Sequence, residues 1–346
     1  MKHIINFSDF HMHFFKDFSK PDAVYVTDRA KEQIKVLEDL MNYAREVKGD
    51  VLFNGDLFHK RVSIDVRIFN MMFEVFSSYP DVPIIMVSGN HDKVTNALAS
   101  DSALEAFNAL PNVTVISTME KLVRDEYTLY GVSYGEEVDE MKEWIAEEAK
   151  KLDPNTINIL CAHIGVDGSS TGQYSHTLSG AFKVADLYPD NFDIVTLGHY
   201  HKRQFLGGLS NVFYVGNTLQ TSFADEGQAK GFMDITLDGK EWSMEFVKAN
   251  YTPFMTVTAD TVPEDLSGAF IQFVGNVTET EAVKKLKEDS DLSNLRIKVQ
   301  KDYYVPPRIE ITAGSTPEEV VRAFTDKKYP DLQDKALECL RIATEI

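Results

Sequence analysis

The stretch PIIMVSGNHD, residues 83–92, ends an apolar, β-rich run with a cluster of Asn, His and Asp. Four other stretches repeat this arrangement, in which a run typical of a buried strand leads directly into polar residues. They are HIINFSDFH at 3–11, DVLFNGD at 50–56, INILCAH at 157–163 and DIVTLGHYH at 193–201. Because ligand sites in open α/β sheets lie outside the carboxyl ends of the strands, we expect the five clusters to meet at one edge of one sheet.

Helical periodicity fills the gaps between the first three of these strands. Apolar residues recur at helical spacing over 34–47 and over 64–76. The resulting β-α-β-α-β order predicts right-handed crossovers and a largely parallel arrangement. A further helix is expected over about 137–152, and hairpin-like strands are expected at 212–215 and 231–235. The chain is therefore predicted to have the α/β fold class.

The polar clusters offer the oxygen and nitrogen ligands that hold divalent metal ions. The candidate ligands are Asp9, His11, Asp56, Asn90, His163, His199 and His201. Such a set suits two cations roughly 3.5–4 Å apart, as in two-metal sites that clamp an in-line displacement at phosphorus. Asp56 follows a glycine and is a candidate bridge, while His91 is free to donate a proton to the leaving group or to stabilise the transition state. Each cluster alone is weak evidence, but five in order predict a hydrolytic metal centre.

Composition limits the function without naming it. The 346 residues are 43% hydrophobic and 26% charged, which suits one large domain with a smaller one attached. The formal charge of −19 disfavours unaided nucleic-acid binding and favours a small phosphoester or a protein partner. Two Lys-Arg pairs, Lys60-Arg61 and Lys202-Arg203, nevertheless follow metal clusters. They are either substrate contacts or ordinary solvated surface charge.

The compartment is predicted from what the sequence does not contain. No apolar stretch approaches the roughly 20 residues that span a bilayer. The first three residues lead directly into a strand pattern rather than a signal peptide, so we expect a cytoplasmic protein without membrane association. Cys161 and Cys339 are far apart, and Cys161 falls in a predicted buried strand. Reduced thiols are therefore expected rather than a disulfide.

The pattern changes near residues 250–253. A strand at 269–274, a helix at 279–287 and a strand at 295–299 predict a small β-α-β unit. Thr316-Pro317-Glu318-Glu319 is a strong helix start, and two short amphipathic helices follow it. We therefore predict a catalytic domain at 1–250, a capping domain at 251–307 and a helix pair at 308–346. The helix pair either docks on a partner or packs on its own domain.

The ordered motifs resemble those of the calcineurin-like metallophosphoesterases. Within that family the chain is most similar to the SbcD-type and phage exonuclease subunits of double-strand-break repair complexes. The resemblance rests on Asp9-X-His11, Gly55-Asp56-Leu57-Phe58-His59, Gly89-Asn90-His91-Asp92, His163, Gly198-His199-X-His201, the stretch at 214–232 and the pattern of the tail. It implies a metallophosphoesterase β-sandwich core flanked by helices, with a β-α-β capping domain and a C-terminal helical tail.

The same resemblance implies the roles of individual residues. Asp9, His11, Asp56 and His201 would bind one manganese ion, and Asp56, Asn90, His163 and His199 would bind the other, with magnesium as a possible substitute. His91 would be the catalytic residue that faces the phosphate, and His59 would be a catalytic or substrate contact. His13 stands where the family's first motif usually has Gly, so it is either a substrate contact or an exposed loop residue, and we favour the second interpretation. No role is assigned to His176 in its Gly- and Ser-rich loop.

Three functional hypotheses follow. The first is a manganese-dependent DNA nuclease, with 3′–5′ exonuclease and single-strand endonuclease activity by resemblance. It would form a homodimer and work with an SbcC-type ABC ATPase, whose coiled coil the tail would hold and which would supply much of the DNA-binding surface. The second is a stand-alone phosphodiesterase or phosphatase for nucleotides or small esters, which the acidity favours. The third is a degenerate scaffold without catalysis, against which the full ligand set and His91 argue.

Overall fold

Two six-stranded sheets organise the computed structural model, which describes residues 1–170, 182–261, 268–276, 278–281, 283–284, 294–299 and 315–344. The strands are β1 (Lys2–Phe7), β2 (Pro21–Asp22), β3 (Val26–Thr27), β4 (Asp50–Phe53), β5 (Ile84–Val87), β6 (Val113–Ile116), β7 (Met119–Val123), β8 (Tyr127–Val132), β9 (Ile157–His163), β10 (Ile194–Gly198), β11 (Gln204–Phe205), β12 (Val212–Tyr214), β13 (Gly231–Asp238), β14 (Glu241–Lys248), β15 (Phe254–Val257), β16 (Phe270–Gly275) and β17 (Leu295–Val299). The helices are α1 (Asp28–Glu46), α2 (Val66–Ser77), α3 (Val138–Ala149), α4 (Pro317–Lys328) and α5 (Gln333–Thr344).

The first sheet has the strand order β14-β13-β1-β4-β5-β6, and the second has the order β11-β12-β10-β9-β8-β7. Strands β1, β4, β5 and β6 run parallel, as do β8, β9, β10 and β12. At one end of the first sheet, β13 pairs antiparallel with β1 and forms an antiparallel hairpin with the edge strand β14. The mixed α/β architecture agrees with the fold class expected from the sequence.

Both faces of the central strands are buried. In β1, Ile4 packs between the two sheets, whereas Ile5 packs in the cluster that includes residues of α1 and α2. Leu160 of β9 packs in a third cluster that includes residues of α3. Strands buried on both sides read as continuous apolar runs, which is why the motif strands lack polar alternation. The result is a sandwich of two sheets with helices on its outer faces.

The predicted helices are present, with shifted ends. The α1 helix begins earlier than expected because Thr27 caps it, accepting a hydrogen bond from the Ala30 amide. Asp65 caps α2 in the same way through the Arg67 amide. These caps fix where each helix leaves the loop that follows a motif strand.

Residues after 250 begin with a small parallel sheet of β15, β16 and β17. It adds a strand to the predicted β-α-β unit. Of the predicted helix at 279–287, residues 279–281 and 283–284 are described and helical, and the others lie outside the described residues. This sheet belongs to the same compact unit as the two large sheets, Met1–Val299.

The second unit, Gln300–Ile346, contains α4 and α5. A capping box of Thr316 and Glu319 with Pro317 at the first turn starts α4, as the sequence predicted. Cys161 is buried and Cys339 is exposed, and both are free thiols. Within the described residues, every helix is too short or too polar to cross a bilayer.

Candidate metal centre

The five polar clusters converge, but they do not lie at one edge of one sheet. Three follow β1, β4 and β5 of the first sheet, whereas the other two follow β9 and β10 of the second. The expectation of a single sheet was therefore wrong. Strands buried on both faces carry no periodicity that assigns them to one sheet or the other. The side chains meet because the carboxyl ends of both parallel sets open at the same end of the sandwich.

A buried polar network joins the two sheets beneath this convergence. The Asn54 amide donates to the Thr196 hydroxyl at 2.8 Å and accepts from the Asn6 amide at 2.7 Å. The Thr196 hydroxyl donates in turn to the Asn6 side-chain oxygen, and the Cys161 thiol donates to Asn54 Oδ1 at 3.1 Å. Asn6 lies in the first sheet and Asn54 directly follows β4 of that sheet, while Cys161 and Thr196 lie in the second sheet. The network therefore fixes how the two halves of the site face each other.

One half of the site consists of Asp9, His11 and His201. Their candidate ligand atoms lie within 4.8 Å of one another. The Nε2 atoms of His11 and His201 approach to 2.9 Å, and His11 Nδ1 is buried without a hydrogen-bond partner among the described residues. Two ring nitrogens that face each other at this distance either share a proton or bind one cation. A cation satisfies both rings at once.

The other half consists of Asn90, His163 and His199. Asn90 Oδ1 lies 3.1 Å from His163 Nε2 and 3.0 Å from His199 Nδ1. His163 Nδ1 donates to the Asn54 carbonyl at 2.6 Å, so Nε2 is the ring nitrogen that faces the Asn90 amide oxygen. A proton on Nε2 would bridge these two atoms, and a metal ion bound between them would take the place of that proton.

Asp56 lies between the two halves. Its Oδ2 atom is 3.7 Å from His11 Nε2 and 3.5 Å from His163 Nε2. Its other oxygen accepts a hydrogen bond from the His91 amide at 2.7 Å. The position matches the bridging role that the resemblance implies, and the seven donors fit two divalent cations.

Burial and charge shape the ionisation of these groups. Asp9 is fully buried, and burial raises the pKa of its carboxyl group. Burial also works against ionisation of Asp56, but His163 and His11 hold its pKa well below the usual range. Burial opposes the charged form of His163 as well, yet the Asp56 carboxylate raises the pKa of this imidazole to about 9. The buried carboxylates thus attract positive charge, which divalent cations would supply in place of protons.

The backbone of the site is strained. Asp9, His11, Asp56 and His199 have φ values of 50°, 49°, 64° and 106°. Such conformations are uncommon outside glycine and cluster at functional sites. Gly55 has a φ of 96°, and a Cβ atom there would lie 2.4 Å from His163 Nδ1. Only glycine therefore lets Asp56 approach the histidine of the other sheet.

Asp92 is a functional residue whose role the sequence analysis missed. Its carboxylate accepts hydrogen bonds from the amides of Asp56 at 2.8 Å, Gly89 at 3.0 Å, Leu57 at 2.9 Å and Phe58 at 3.3 Å. It therefore ties the loop after β4 to the loop after β5. Burial and then the Asp56 charge raise the pKa of Asp92 to about 7. The Gly-Asn-His-Asp motif showed a carboxylate at this position but not the loop that it holds.

His91 faces the metal-ligand cluster. Its Nδ1 donates to the His59 carbonyl at 2.6 Å, and a ring nitrogen lies within 4.8 Å of candidate ligand atoms of His11 and Asp56. The geometry thus brings His91 close enough either to bind a metal or to reach a substrate held there. Burial, and then the proximity of the His13 and His91 imidazoles, lower the pKa of His59 to about 4, so its ring is neutral at neutral pH.

The predicted substrate contacts lie around the centre with different partners. Lys60 is exposed, whereas the Arg61 Nε donates to the Lys93 carbonyl at 3.3 Å. The Lys202 ammonium reaches the Ser170 hydroxyl at 3.5 Å, and the Arg203 guanidinium stacks on the Phe246 ring at 3.9 Å. Lys60 is thus the most available of the four to a ligand. His13 is half-buried rather than exposed, and His176 lies outside the described residues.

A second residue with a positioning role is Lys230, which is buried. Its ammonium donates to the His201 carbonyl at 2.7 Å and pairs with the Asp225 carboxylate at 3.1 Å. Lys230 therefore fixes the backbone of the Gly198-His199-Tyr200-His201 motif at His201. A lysine before a strand gave no sequence signal for this role.

Comparisons with known proteins cover both the sequence and the fold of this chain. Residues 2–203 match the calcineurin-like phosphoesterase family. The fold is similar to a dimetal phosphatase from Danio rerio, with 9% identity, a TM-score of 0.47 and coverage of 72% of this chain and 98% of that chain. It is also similar to a putative 5′-nucleotidase from Staphylococcus aureus, with 13% identity, a TM-score of 0.42 and coverage of 83% and 58%. A calcineurin-like phosphoesterase from Bacillus subtilis has 12% identity, a TM-score of 0.36 and coverage of 72% and 89%. Because the family match spans more than half of the sequence, the chain belongs to the calcineurin-like phosphoesterase family.

Proposed function

We propose that this protein is a metal-dependent phosphodiesterase that cleaves DNA as the nuclease subunit of a double-strand-break repair assembly. The observation that carries the hydrolytic part is the set of seven donors around the shared carboxylate of Asp56, with His91 beside them. The DNA substrate is supported by the resemblance of the Leu57-Phe58-His59 extension and of the tail to nuclease subunits. Manganese is favoured by the resemblance to those nuclease subunits, and the mixed set of imidazoles and carboxylates accepts divalent metals of this kind.

Different residues of the chain would bind the metal ions, position the ligands and donate a proton in such a reaction. Divalent cations held by the seven donors would offset the charge of a phosphodiester and acidify a water molecule. Asp92 and Lys230 keep Asp56 and His201 in position. His91 is oriented by the His59 carbonyl, so that its other ring nitrogen is available to protonate the leaving alkoxide.

A second candidate function is hydrolysis of nucleotides or other small phosphoesters. The formal charge of −19 favours it, because such a field repels a long phosphate backbone. The DNA hypothesis requires a partner that supplies positive surface. The two candidates therefore differ in what the isolated chain can cleave.

We further propose that the partner is an SbcC-type ABC ATPase and that α4 and α5 hold the base of its coiled coil. These helices enclose an apolar groove of about 430 Å³ that includes Val320, Phe324, Tyr329 and Leu332. Phe324 is 43% exposed and Leu332 is 52% exposed, which suits an amphipathic helix as occupant. The resemblance also supports a homodimer that pairs through helices of the catalytic domain.

The deciding experiment supplies Mn²⁺ and compares linear duplex DNA, a small aryl phosphodiester and a nucleotide, with and without the ATPase. DNA cleavage that strengthens with the ATPase is expected. Robust nucleotide hydrolysis without DNA cleavage under any condition would refute the nuclease proposal.

The partner proposal has its own test. Removal of residues 308–346 should abolish ATPase binding and spare hydrolysis of the aryl diester, because the metal ligands all lie in the other unit. Continued binding by the truncated protein would show that the tail has another task.

A further inference from the structure

A cleft of about 480 Å³ opens next to the metal centre. One side is the loop that follows His11, and the other is the segment from Phe58 into the start of α2. Met12 and Phe58 pair in a short parallel bridge at its inner end. Met12 directly follows the candidate ligand His11, and Phe58 directly precedes His59. The cleft therefore begins one residue away from a candidate metal ligand. Its volume falls within the roughly 300–1,000 Å³ of small-ligand sites.

Apolar and polar residues contribute about equally to the lining of the cleft. Phe14 and Ile64 are partly exposed apolar side chains in this lining, whereas Phe58 and Ile68 are buried. The Arg67 guanidinium lies over the Phe14 ring at 5.0 Å, and Asp65 neutralises it at 2.7 Å. The lining therefore offers flat aromatic and aliphatic surface with a compensated charge, which suits a planar organic group rather than an ion.

The rim of the cleft is cationic. Lys16 and Lys60 both line it and are both exposed. In the described parts of the chain, neither lysine forms an ion pair with a carboxylate. Two uncompensated cations beside an apolar surface form a local positive patch in a chain of formal charge −19. The two lysines fit a second anionic group of the same substrate, covalently connected to the phosphate that the metal centre would bind.

A row of rings connects the cleft to the metal centre. The His13 and His59 rings are 5.0 Å apart and tilted by 35°, and the His59 and His91 rings are 6.0 Å apart and tilted by 25°. His13 therefore stands at the boundary between the cleft and the residues that face the ligand cluster. A group that passes from one to the other must cross this face of stacked imidazoles.

We propose that this cleft binds the nucleoside that is esterified to the scissile phosphate, with its base on the apolar lining and the next phosphate of the strand near Lys16 and Lys60. The inference rests on the proposed phosphodiesterase function and names the part of the substrate that the site selects. It assigns His13 a place beside the sugar-phosphate backbone rather than in a solvent loop. The positive charge of the two lysines would also attract a polyanion to this part of an otherwise acidic chain.

The first test compares two chromogenic diesters in Mn²⁺, thymidine 5′-(p-nitrophenyl phosphate) and bis(p-nitrophenyl) phosphate. Ile64→Trp fills the cleft, so the ratio of kcat/KM for the thymidine ester to kcat/KM for the aryl ester should fall about ten-fold, mainly through KM. Lys35→Ala, which removes an exposed lysine of α1, should leave the ratio unchanged. An equal loss for both esters in Ile64→Trp, or no loss, would overturn the proposal.

The second test needs neither metal nor turnover. Binding of a labelled trithymidylate is followed by fluorescence anisotropy in EDTA at low salt. Lys16→Ala should weaken binding about three-fold, whereas Lys35→Ala should not. Equal affinity of the two variants would overturn the phosphate contact. If the wild-type protein hydrolyses neither diester, the proposed function fails, and this comparison still decides whether the cleft binds a nucleotide.

Discussion

Thr196→Val tests whether the buried network between the sheets assembles the metal centre. The hydroxyl of Thr196 accepts from Asn54 Nδ2 at 2.8 Å and donates to the Asn6 side-chain oxygen. All three residues are fully buried. Valine has nearly the same shape, so the substitution removes the two hydrogen bonds without opening a cavity.

The magnitude follows from what the substitution leaves behind. The Asn54 and Asn6 atoms that lose their hydrogen bonds remain buried without partners, which costs about 1–3 kcal/mol each. The added methyl group returns about 1 kcal/mol of hydrophobic burial. We therefore expect Thr196→Val to lower the free energy of unfolding by roughly 1–5 kcal/mol. Because the Asn54 carbonyl also orients His163, metal affinity should fall about ten-fold.

Urea unfolding in EDTA measures the first effect. Both tryptophans, Trp144 and Trp242, lie in the Met1–Val299 unit, so intrinsic fluorescence reports the unit that contains the network. Thr114→Val in β6 is the matched control, since no hydrogen bond of its hydroxyl is seen among the described residues, and its effect should stay within about 0.5 kcal/mol. A Thr196→Val effect no larger than that of Thr114→Val would refute the reasoning. If Thr196→Val leaves the Mn²⁺ affinity unchanged in a titration, the buried network does not influence metal binding at the site.

Three further outcomes are expected. His91→Ala should keep both metal ions, counted by metal analysis, and lose about 10²–10⁴-fold in turnover; loss of a metal would make His91 a ligand. Asp92→Asn should weaken metal binding about 10–100-fold in calorimetric titration, since one amide oxygen cannot accept from the four amides that its carboxylate holds. Burial lowers the pKa of Lys93 to about 8, so the unfolded chain binds the extra proton between pH 8 and its ordinary value near 10.5. Stability therefore rises with pH across this window, and Lys93→Met should lose that gain of roughly 3 kcal/mol in urea unfolding at the two pH values.

The sequence predicted the positions of the elements well because each motif strand is buried on both faces. Runs such as that of β5 have no solvent side, so they stand out as uninterrupted apolar segments followed by ligands. The same property hid the division into two sheets. The surface of each sheet that faces the other sheet is marked only by a polar residue within an apolar strand. Asn6 in β1 and Thr196 in β10 are such residues, and they are hydrogen-bonded to each other across the two sheets. Their meaning depends on a partner about 190 residues away, which local pattern does not reveal.

The site residues divide in the same way. Candidate ligands such as Asp56 and His163 could be named because their chemistry is local to a motif. The residues that hold them could not, because Asp92 and Lys230 act on the backbone of other loops. His13 shows the opposite case. Its departure from the family pattern was visible, but its contact with His59 and the cleft beside it depend on the fold.

The loops that carry the candidate metal ligands have a strained backbone, which explains why so many hydrogen bonds and ion pairs stabilise them. Four predicted ligands adopt left-handed backbone conformations, each at roughly 1–3 kcal/mol. In addition, the two carboxylates of Asp9 and Asp56 are buried close to each other. Without cations this combination must be held by the Asp92 carboxylate, the Lys230 ammonium and the network of Asn54. With two divalent cations the same geometry is satisfied, since the carboxylates and imidazoles then face opposite charge. The loops are therefore built for the metal-bound state, and the rigid sandwich beneath them keeps that arrangement ready for a phosphoester.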